Sequence, residues 1–73
     1  MTTLQIQPSF MKYASKKEVA RLNRVSSSIV TKGWDLGASK ALVMKNVNGS
    51  SGERYVRVQF RGDRNEYLGS MYI

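Results

Sequence analysis

Arginine and aromatic side chains alternate with apolar ones in residues 54–62, Arg-Tyr-Val-Arg-Val-Gln-Phe-Arg-Gly. Neighbouring side chains of a β-strand point to opposite faces, so the apolar residues would share one face: Val56, Val58 and Phe60. The polar residues would share the other: Tyr55, Arg57, Gln59 and Arg61. Guanidinium groups bind phosphates and carboxylates, and aromatic rings stack on unpaired bases. This face therefore predicts contact with a nucleic acid or with an acidic protein, or else a solvated surface.

A second set of basic side chains recurs at helical spacing. Lys17, Arg21 and Arg24 fall on one side of a helix, together with Ser28. Such a stripe is usually the solvated side of an amphipathic helix. Its separation from the arginine-bearing strand nevertheless predicts a protein that meets negative charge on more than one side. Arg64, in a turn predicted after the strand, adds a further cation to the candidate binding residues.

Catalytic groups are scarce in this chain. It contains no His and no Cys, which excludes nucleophile–histidine pairs, thiolate metal sites and disulfides. The carboxylates are few: Glu18, Asp35, Glu53, Asp63 and Glu66. Glu18 is expected to cap a helix and the others lie in or beside predicted turns, which does not favour a two-carboxylate hydrolase. We therefore expect a protein that is not an enzyme, with no cofactor, no metal and no small-molecule substrate.

Two short motifs are best explained as turns. Arg61-Gly62-Asp63 spells the integrin-adhesion tripeptide, and Asn48-Gly49-Ser50 matches the N-glycosylation acceptor. Both functions belong to secreted proteins, and residues 1–10 have neither the basic start nor the apolar run of a secretory signal. Gly and Asn are favoured in tight turns, so both motifs predict the turns that connect the strands of β-hairpins.

One amphipathic helix is predicted for residues 16–32. Ser15 and Glu18 have the spacing of a capping box, in which each side chain bonds the backbone N–H of the other residue. The apolar residues that follow fall on one side of the helix: Val19, Leu22, Val25, Ile29 and Val30. Gly33 follows Lys32 and is expected to end the helix.

Three β-strands are predicted after the helix, at about residues 40–47, 53–61 and 66–72. Residues 40–47 also have apolar residues at helical spacing, so a helix is the alternative there. Residues 48–52 would form the loop of the first hairpin, and residues 62–65 the turn of the second. Gly69 lies inside the third strand and predicts a bulge or a close backbone approach.

These elements predict a single α+β domain over residues 1–73, with the helix packed on one face of a three-stranded antiparallel meander. Leu4 and Ile6 alternate with polar residues in 3–7, which predicts a short N-terminal strand that Pro8 ends. The alternative is a flexible arm, residues 1–12, in which Leu4 and Ile6 would dock on a partner.

Trp34 is the only tryptophan in the sequence. A domain this small has few large side chains with which to fill its core, so Trp34 is expected to pack inside. The alternative is an exposed anchor for a partner, because Trp is enriched in binding hot spots.

The charge balance favours a negatively charged partner. Twelve Lys and Arg stand against five Asp and Glu, which gives a net charge of +7. Such a field attracts phosphate backbones, acidic lipids and acidic protein surfaces. No apolar run approaches the length of a membrane span, so we expect a cytoplasmic monomer with no membrane partner.

In size, basic charge, lack of Cys and His and its helix-plus-meander plan, the chain resembles small bacteriophage proteins that bind the RNA polymerase of the bacterial host. Members of that group block promoter-dependent initiation, cause antitermination, or do both. The resemblance implies a non-enzymatic regulator of transcription, acting in the host cytoplasm on an acidic polymerase surface. The resemblance does not assign a role to any residue of this chain. The expected partner contacts are chosen instead by their charge or their apolar character: Arg57, Arg61, Arg64, Lys17, Arg21, Arg24, Leu4 and Ile6.

Two other functions stay open. A direct DNA- or RNA-binding protein would use the strand face with Tyr55, Arg57 and Arg61, and its affinity would fall steeply as salt rises. An inhibitor of another host factor, such as a nuclease, would use the same charged surfaces.

Overall fold

The computed structural model describes residues 2–47 and 54–73, with residues 47, 54 and 55 described in their backbone only. Within these ranges, two helices and four strands follow one another: β1 (Thr3–Ile6), α1 (Pro8–Tyr13), α2 (Lys16–Asp35), β2 (Lys40–Val47), β3 (Arg54–Arg61) and β4 (Tyr67–Tyr72). The predicted α+β class is confirmed. The predicted hairpin loop, 48–52, lies outside the described residues.

The strands form one mixed sheet in the order β1-β2-β3-β4. β2, β3 and β4 are antiparallel neighbours, as the predicted meander requires, whereas β1 pairs parallel to β2 with Leu4 opposite Ala41. A parallel pair needs a crossover connection, which α1 and α2 provide on one face of the sheet. Residues 3–6 thus form the predicted N-terminal strand rather than a loose arm.

The short helix α1 is an element that the sequence pattern does not predict. Pro8 ends β1 as expected, but it also begins α1, because its fixed φ and missing N–H are tolerated in a first helical turn. The helix has only six residues, too few to show a periodic apolar pattern. Burial of Phe10 holds it against the core, and Ser9 Oγ accepts a hydrogen bond from Lys45 N–H at 3.2 Å.

The capping box of α2 forms as predicted. Ser15 Oγ accepts from Glu18 N–H at 3.2 Å, and Ser15 N–H donates to Glu18 Oε1 at 2.9 Å. Leu22 and Ile29 are buried in the core, whereas Val19 in the first turn is 42% exposed. The apolar stripe of the helix therefore begins one turn later than the sequence pattern indicates.

The prediction that Gly33 ends α2 is wrong, because the helix continues to Asp35. Gly33 is buried instead, where α2 approaches the N-terminal residues and β3. An added Cβ would lie 2.6 Å from Thr2 Cγ2 and 3.2 Å from Phe60 Cδ1. The glycine is thus required for close packing rather than for helix termination.

A Schellman motif at Gly37 ends the helix. Ala38 N–H donates to the Gly33 carbonyl at 2.8 Å, and Gly37 N–H donates to the Trp34 carbonyl at 3.0 Å. Gly37 takes the left-handed conformation with φ of +73°. The extra turn leaves Trp34 on the surface, 61% exposed, so the prediction that it packs in the core is wrong.

β3 supplies the centre of the core, as its alternation predicts. Val56, Val58 and Phe60 are each at most 1% exposed. Residues from the helices, from β2 and from the loop before it complete the core: Phe10, Leu22, Ile29, Ala38, Ala41 and Val43. The predicted contact between the apolar side of α2 and the apolar face of β3 is therefore confirmed.

One lysine also lies on the covered face of the sheet. The Lys45 side chain is only 4% exposed, and its Nζ pairs with Glu18 Oε2. Burial raises the pKa of Glu18, but hydrogen bonds from Lys45 and from Ser15 N–H outweigh it and hold the pKa below its usual value. The carboxylate that caps α2 thus also neutralises a buried cation.

A β-bulge changes the face on which the side chains of β4 lie. Two adjacent residues of β3 pair with Gly69 and Tyr67, which leaves Leu68 as the extra residue. Gly69 has a φ of +151°, a backbone conformation that residues other than glycine rarely adopt. The predicted bulge is therefore confirmed. Tyr67 and Tyr72 would lie on opposite faces of a regular strand, and the bulge places both on the same face.

Candidate functional site

The helices cover one face of the sheet and leave the other open. Among the described side chains, the strand register assigns twelve to this open face: Thr3, Gln5, Lys40, Leu42, Met44, Asn46, Arg57, Gln59, Arg61, Tyr67, Ser70 and Tyr72. None of the four strands contains Asp or Glu. The charged groups that the strands place on the open face are therefore all cations.

Arg57 and Arg61 extend over the middle of the open face. Both side chains are half-buried, and the Nε atom of each is buried without a hydrogen-bond partner among the described residues. Leu42 and Met44 lie beside them on β2, where aliphatic stems can pack on apolar surface. Only the terminal guanidinium nitrogens are left to reach a ligand.

Neighbouring groups fix the position of the Arg61 guanidinium. Its Nη2 donates to Gln59 Oε1 at 2.9 Å, and its Nη1 donates to the Asn65 carbonyl at 3.3 Å. The guanidinium carbon also lies 5.5 Å from the centroid of the Tyr67 ring, within the range of a cation–π contact. A cation held in this way loses little entropy when a ligand binds.

Tyr67 lies within reach of both guanidinium groups. Its hydroxyl donates to Ser70 Oγ at 2.9 Å. The Ser70 hydroxyl can donate to the ionised phenolate, and this hydrogen bond, one from Arg57 and the charges of Arg57 and Arg61 lower the pKa of Tyr67 below its usual value of 10.0. The two guanidinium groups beside Tyr67 make this part of the open face positively charged.

Two tyrosine rings are exposed beside the arginines. Tyr67 is 51% exposed and Tyr72 is 60% exposed, and Tyr72 lies opposite Arg57 in the register. Gln59 and Ser70 form the pair between them, with amide and hydroxyl groups that can bond base edges. Exposed aromatic rings beside guanidinium groups are typical of surfaces that stack unpaired bases.

The structure brings together only part of the predicted binding set. Arg57 and Arg61 share the open face. Tyr55 pairs with Asn46 in the sheet, but its side chain lies outside the described residues. Arg64 is exposed in the turn between β3 and β4, beyond the strands themselves.

Leu4 and Ile6 face the covered side of the sheet. Their register opposite Ala41 and Val43 turns both toward the core. Leu4 packs against the core, and Ile6 on the edge strand keeps 38% of its surface exposed. Leu4 therefore uses part of its apolar surface within the fold, and contact of Leu4 and Ile6 with a partner stays a prediction.

The basic residues of α2 are exposed, as predicted. Lys17, Arg21 and Arg24 line a shallow groove together with Ala20. Because the opposite side of α2 packs on the covered face of the sheet, this stripe and the open face lie on opposite sides of the domain. The folded protein therefore keeps two separate basic surfaces.

Three residues of the open face are not identified from the sequence: Lys40, Tyr67 and Tyr72. Lys40 begins β2 opposite Arg61, so its position follows only once the pairing of β2 with β3 is known. The two tyrosines share a face only because of the bulge at Leu68. Gly69 is the sequence signal that could have indicated this change of register.

Comparison with known proteins gives no match for this chain: no protein-family model, curated protein or solved structure matches it. In the part of the chain that the structure describes, no helix is long and apolar enough to cross a membrane, and no group of acidic side chains is arranged to hold a metal. The open face is therefore interpreted from its own chemistry.

Proposed function

We propose that this protein is a non-enzymatic binding protein that holds single-stranded nucleic acid on its open face. The observation that supports this most strongly is the position of two guanidinium groups and two exposed tyrosine rings on one sheet face, on strands without a carboxylate. Arginine binds phosphate and tyrosine stacks on bases. An extended strand lying along this face would meet both groups together.

Phosphates and bases would have different partners on this surface. Lys40, Arg57 and Arg61 would neutralise phosphates, which gives affinity without sequence preference. Tyr67 and Tyr72 would each stack a base, a contact that is worth about 1–3 kcal/mol in comparable sites. Bases in a duplex already stack on their neighbours, so the face would prefer single strands.

A second candidate function is transcription regulation through an acidic surface of RNA polymerase. The observation that favours it is the separate basic stripe of Lys17, Arg21 and Arg24 on the far side of the domain. A regulator near the RNA exit path or the DNA channel would meet acidic protein on one side and nucleic acid on the other. This is also the function that the resemblance to phage regulators implies.

Two variants with matched charge test the proposal. Arg57→Gln/Arg61→Gln and Lys17→Gln/Arg21→Gln each remove two positive charges, from the open face and from α2 respectively. We expect the open-face variant to lose about tenfold or more in affinity for a labelled oligothymidylate, and the α2 variant to lose less than about threefold. Fluorescence anisotropy between about 50 and 200 mM salt measures both the affinity and its salt slope.

Equal losses in the two variants would contradict the proposal, because they would show attraction to total charge rather than to one face. Circular dichroism of each variant confirms that the fold is kept. Wild-type protein that binds no oligonucleotide, yet retains purified RNA polymerase after nuclease treatment, would replace the first candidate with the second.

A further inference from the structure

A cleft of about 250 Å³ lies where the end of α2 meets the turn between β3 and β4. Its lining residues are Trp34, Gly37, Ala38, Ser39 and Asp63. Trp34 exposes 61% of its surface there, although it is the largest apolar side chain of the chain. These residues are separate from the proposed nucleic-acid contacts, so the inference below does not depend on that function.

Asp63, which lines this cleft, and Asp35, at the end of α2, lack a cationic partner in the described residues. Asp35 follows Trp34 as the last residue of α2. Lys32 and Arg64 are close in sequence, but neither lies within ion-pair distance of these carboxylates. Asp35 also stands at the helix end where the backbone carbonyls concentrate negative potential, a position that favours cations.

We infer that this cleft binds a lysine or arginine side chain of a protein partner. A tryptophan face attracts ammonium and guanidinium groups, and the Asp63 carboxylate would pair with the same cation. The Ser39 hydroxyl, which donates to the Arg61 carbonyl at 3.5 Å, has lone pairs that can accept from the ligand.

Charge complementarity favours a basic side chain of a protein partner over a nucleic acid and over a second copy of this chain. The carboxylates would repel a nucleic-acid backbone. A second copy of the chain carries the same net charge of +7, which opposes self-association. A basic side chain displayed by a different protein satisfies both the exposed ring and the unpaired carboxylate.

An NMR titration with a capped Gly-Arg-Gly peptide tests the inference, and a Gly-citrulline-Gly peptide of nearly equal shape is the uncharged control. We expect saturable shifts of the Trp34 indole N–H and of the Gly37 and Ser39 amides with the arginine peptide only. Asp63→Asn should weaken binding about fivefold, as expected for the loss of one exposed charge pair. Trp34→Leu should weaken it at least as much.

Glu66→Gln is the matched variant for Asp63→Asn, since it removes one negative charge near the same turn from a residue that does not line the cleft. Its affinity for the arginine peptide should stay within about twofold of wild type. Equal shifts with the citrulline peptide, or unchanged binding by Asp63→Asn, would overturn the inference. Shifts of the same residues on concentrating the protein alone would also overturn it, by assigning the cleft to a second copy.

Discussion

Ion pairs within the fold decide which charged side chains are available to a ligand. Lys45 is buried and neutralised by Glu18, so its charge serves stability rather than binding. Arg57 and Arg61 have no carboxylate within ion-pair distance in the described part of the chain, and Tyr67 supplies both with an aromatic neighbour. The open-face arginines therefore keep their charge for a partner.

The titration of Tyr67 reports this local field. Arg57→Gln should raise the pKa of Tyr67 toward 10.0, because the hydrogen bond and charge of Arg57 favour the phenolate. NMR titration of the Tyr67 ring in wild type and in the variant measures the shift. An unchanged Tyr67 titration in the variant would show that the guanidinium does not act on this ring.

Glu18→Gln should lower the free energy of unfolding by about 2–3 kcal/mol at neutral pH, because it leaves the buried Lys45 unpaired. The folded-state pKa of Glu18 is lowered, so its contribution is complete above its ordinary pKa of 4.5 and is lost as pH falls through the lower folded value. Urea unfolding at pH 7 and pH 3 should therefore show a smaller pH dependence in the variant.

Asp35→Asn is the control for this substitution, since Asp35 is exposed and makes no ion pair in the described residues. It should change the unfolding free energy by less than about 0.5 kcal/mol. Equal stability of wild type and Glu18→Gln at pH 7 would contradict the role assigned to the buried pair.

Elements with local signals could be predicted from the sequence, and elements set by tertiary contacts could not. The capping box placed the start of α2, alternation placed the core face of β3, and the adjacent apolar residues Leu42 and Val43 with the turn after Val47 placed β2. Gly33 is needed for the close approach of α2 to Thr2 and Phe60, which no local pattern contains, and the helix therefore runs past it to the Schellman motif at Gly37. The parallel pairing of β1 likewise depends on the crossover through both helices.

The residues of the candidate site likewise divide into those that the sequence predicts and those that depend on tertiary structure. Arg57 and Arg61 follow from strand alternation, whereas Tyr67 and Tyr72 do not. One extra residue in β4 moves every following side chain to the other face, so the tyrosines could not be assigned before the bulge was located. The positive φ of Gly69 makes that bulge possible.

Gly33→Ala tests the packing of α2 directly. Alanine is the better helix former by about 1 kcal/mol, yet we expect a net loss of about 1–3 kcal/mol in unfolding free energy. The reason is that the new Cβ would lie 2.6 Å from Thr2 Cγ2. Chemical unfolding measures the change, and adding Thr2→Ala should recover part of it. A more stable single variant would contradict the close approach.

The whole molecule uses a small sheet to separate its functions by side. The covered face carries the core and the buried ion pair, and the open face carries cations and aromatic rings. The outer side of α2 adds a second basic surface, and the cleft at the end of the same helix is lined by an exposed tryptophan and by Asp63, which has no ion pair in the described residues. A chain of 73 residues can thus present three chemically different surfaces.

The most direct test of the central claim is a ¹⁵N NMR titration with an oligothymidylate of about eight nucleotides at moderate salt. We predict saturable shifts along the open face, at Lys40, Arg57, Tyr67 and Tyr72, and no comparable shifts along residues 17–24 of α2. Shifts confined to α2, or a spectrum unchanged by excess oligonucleotide, would contradict the account.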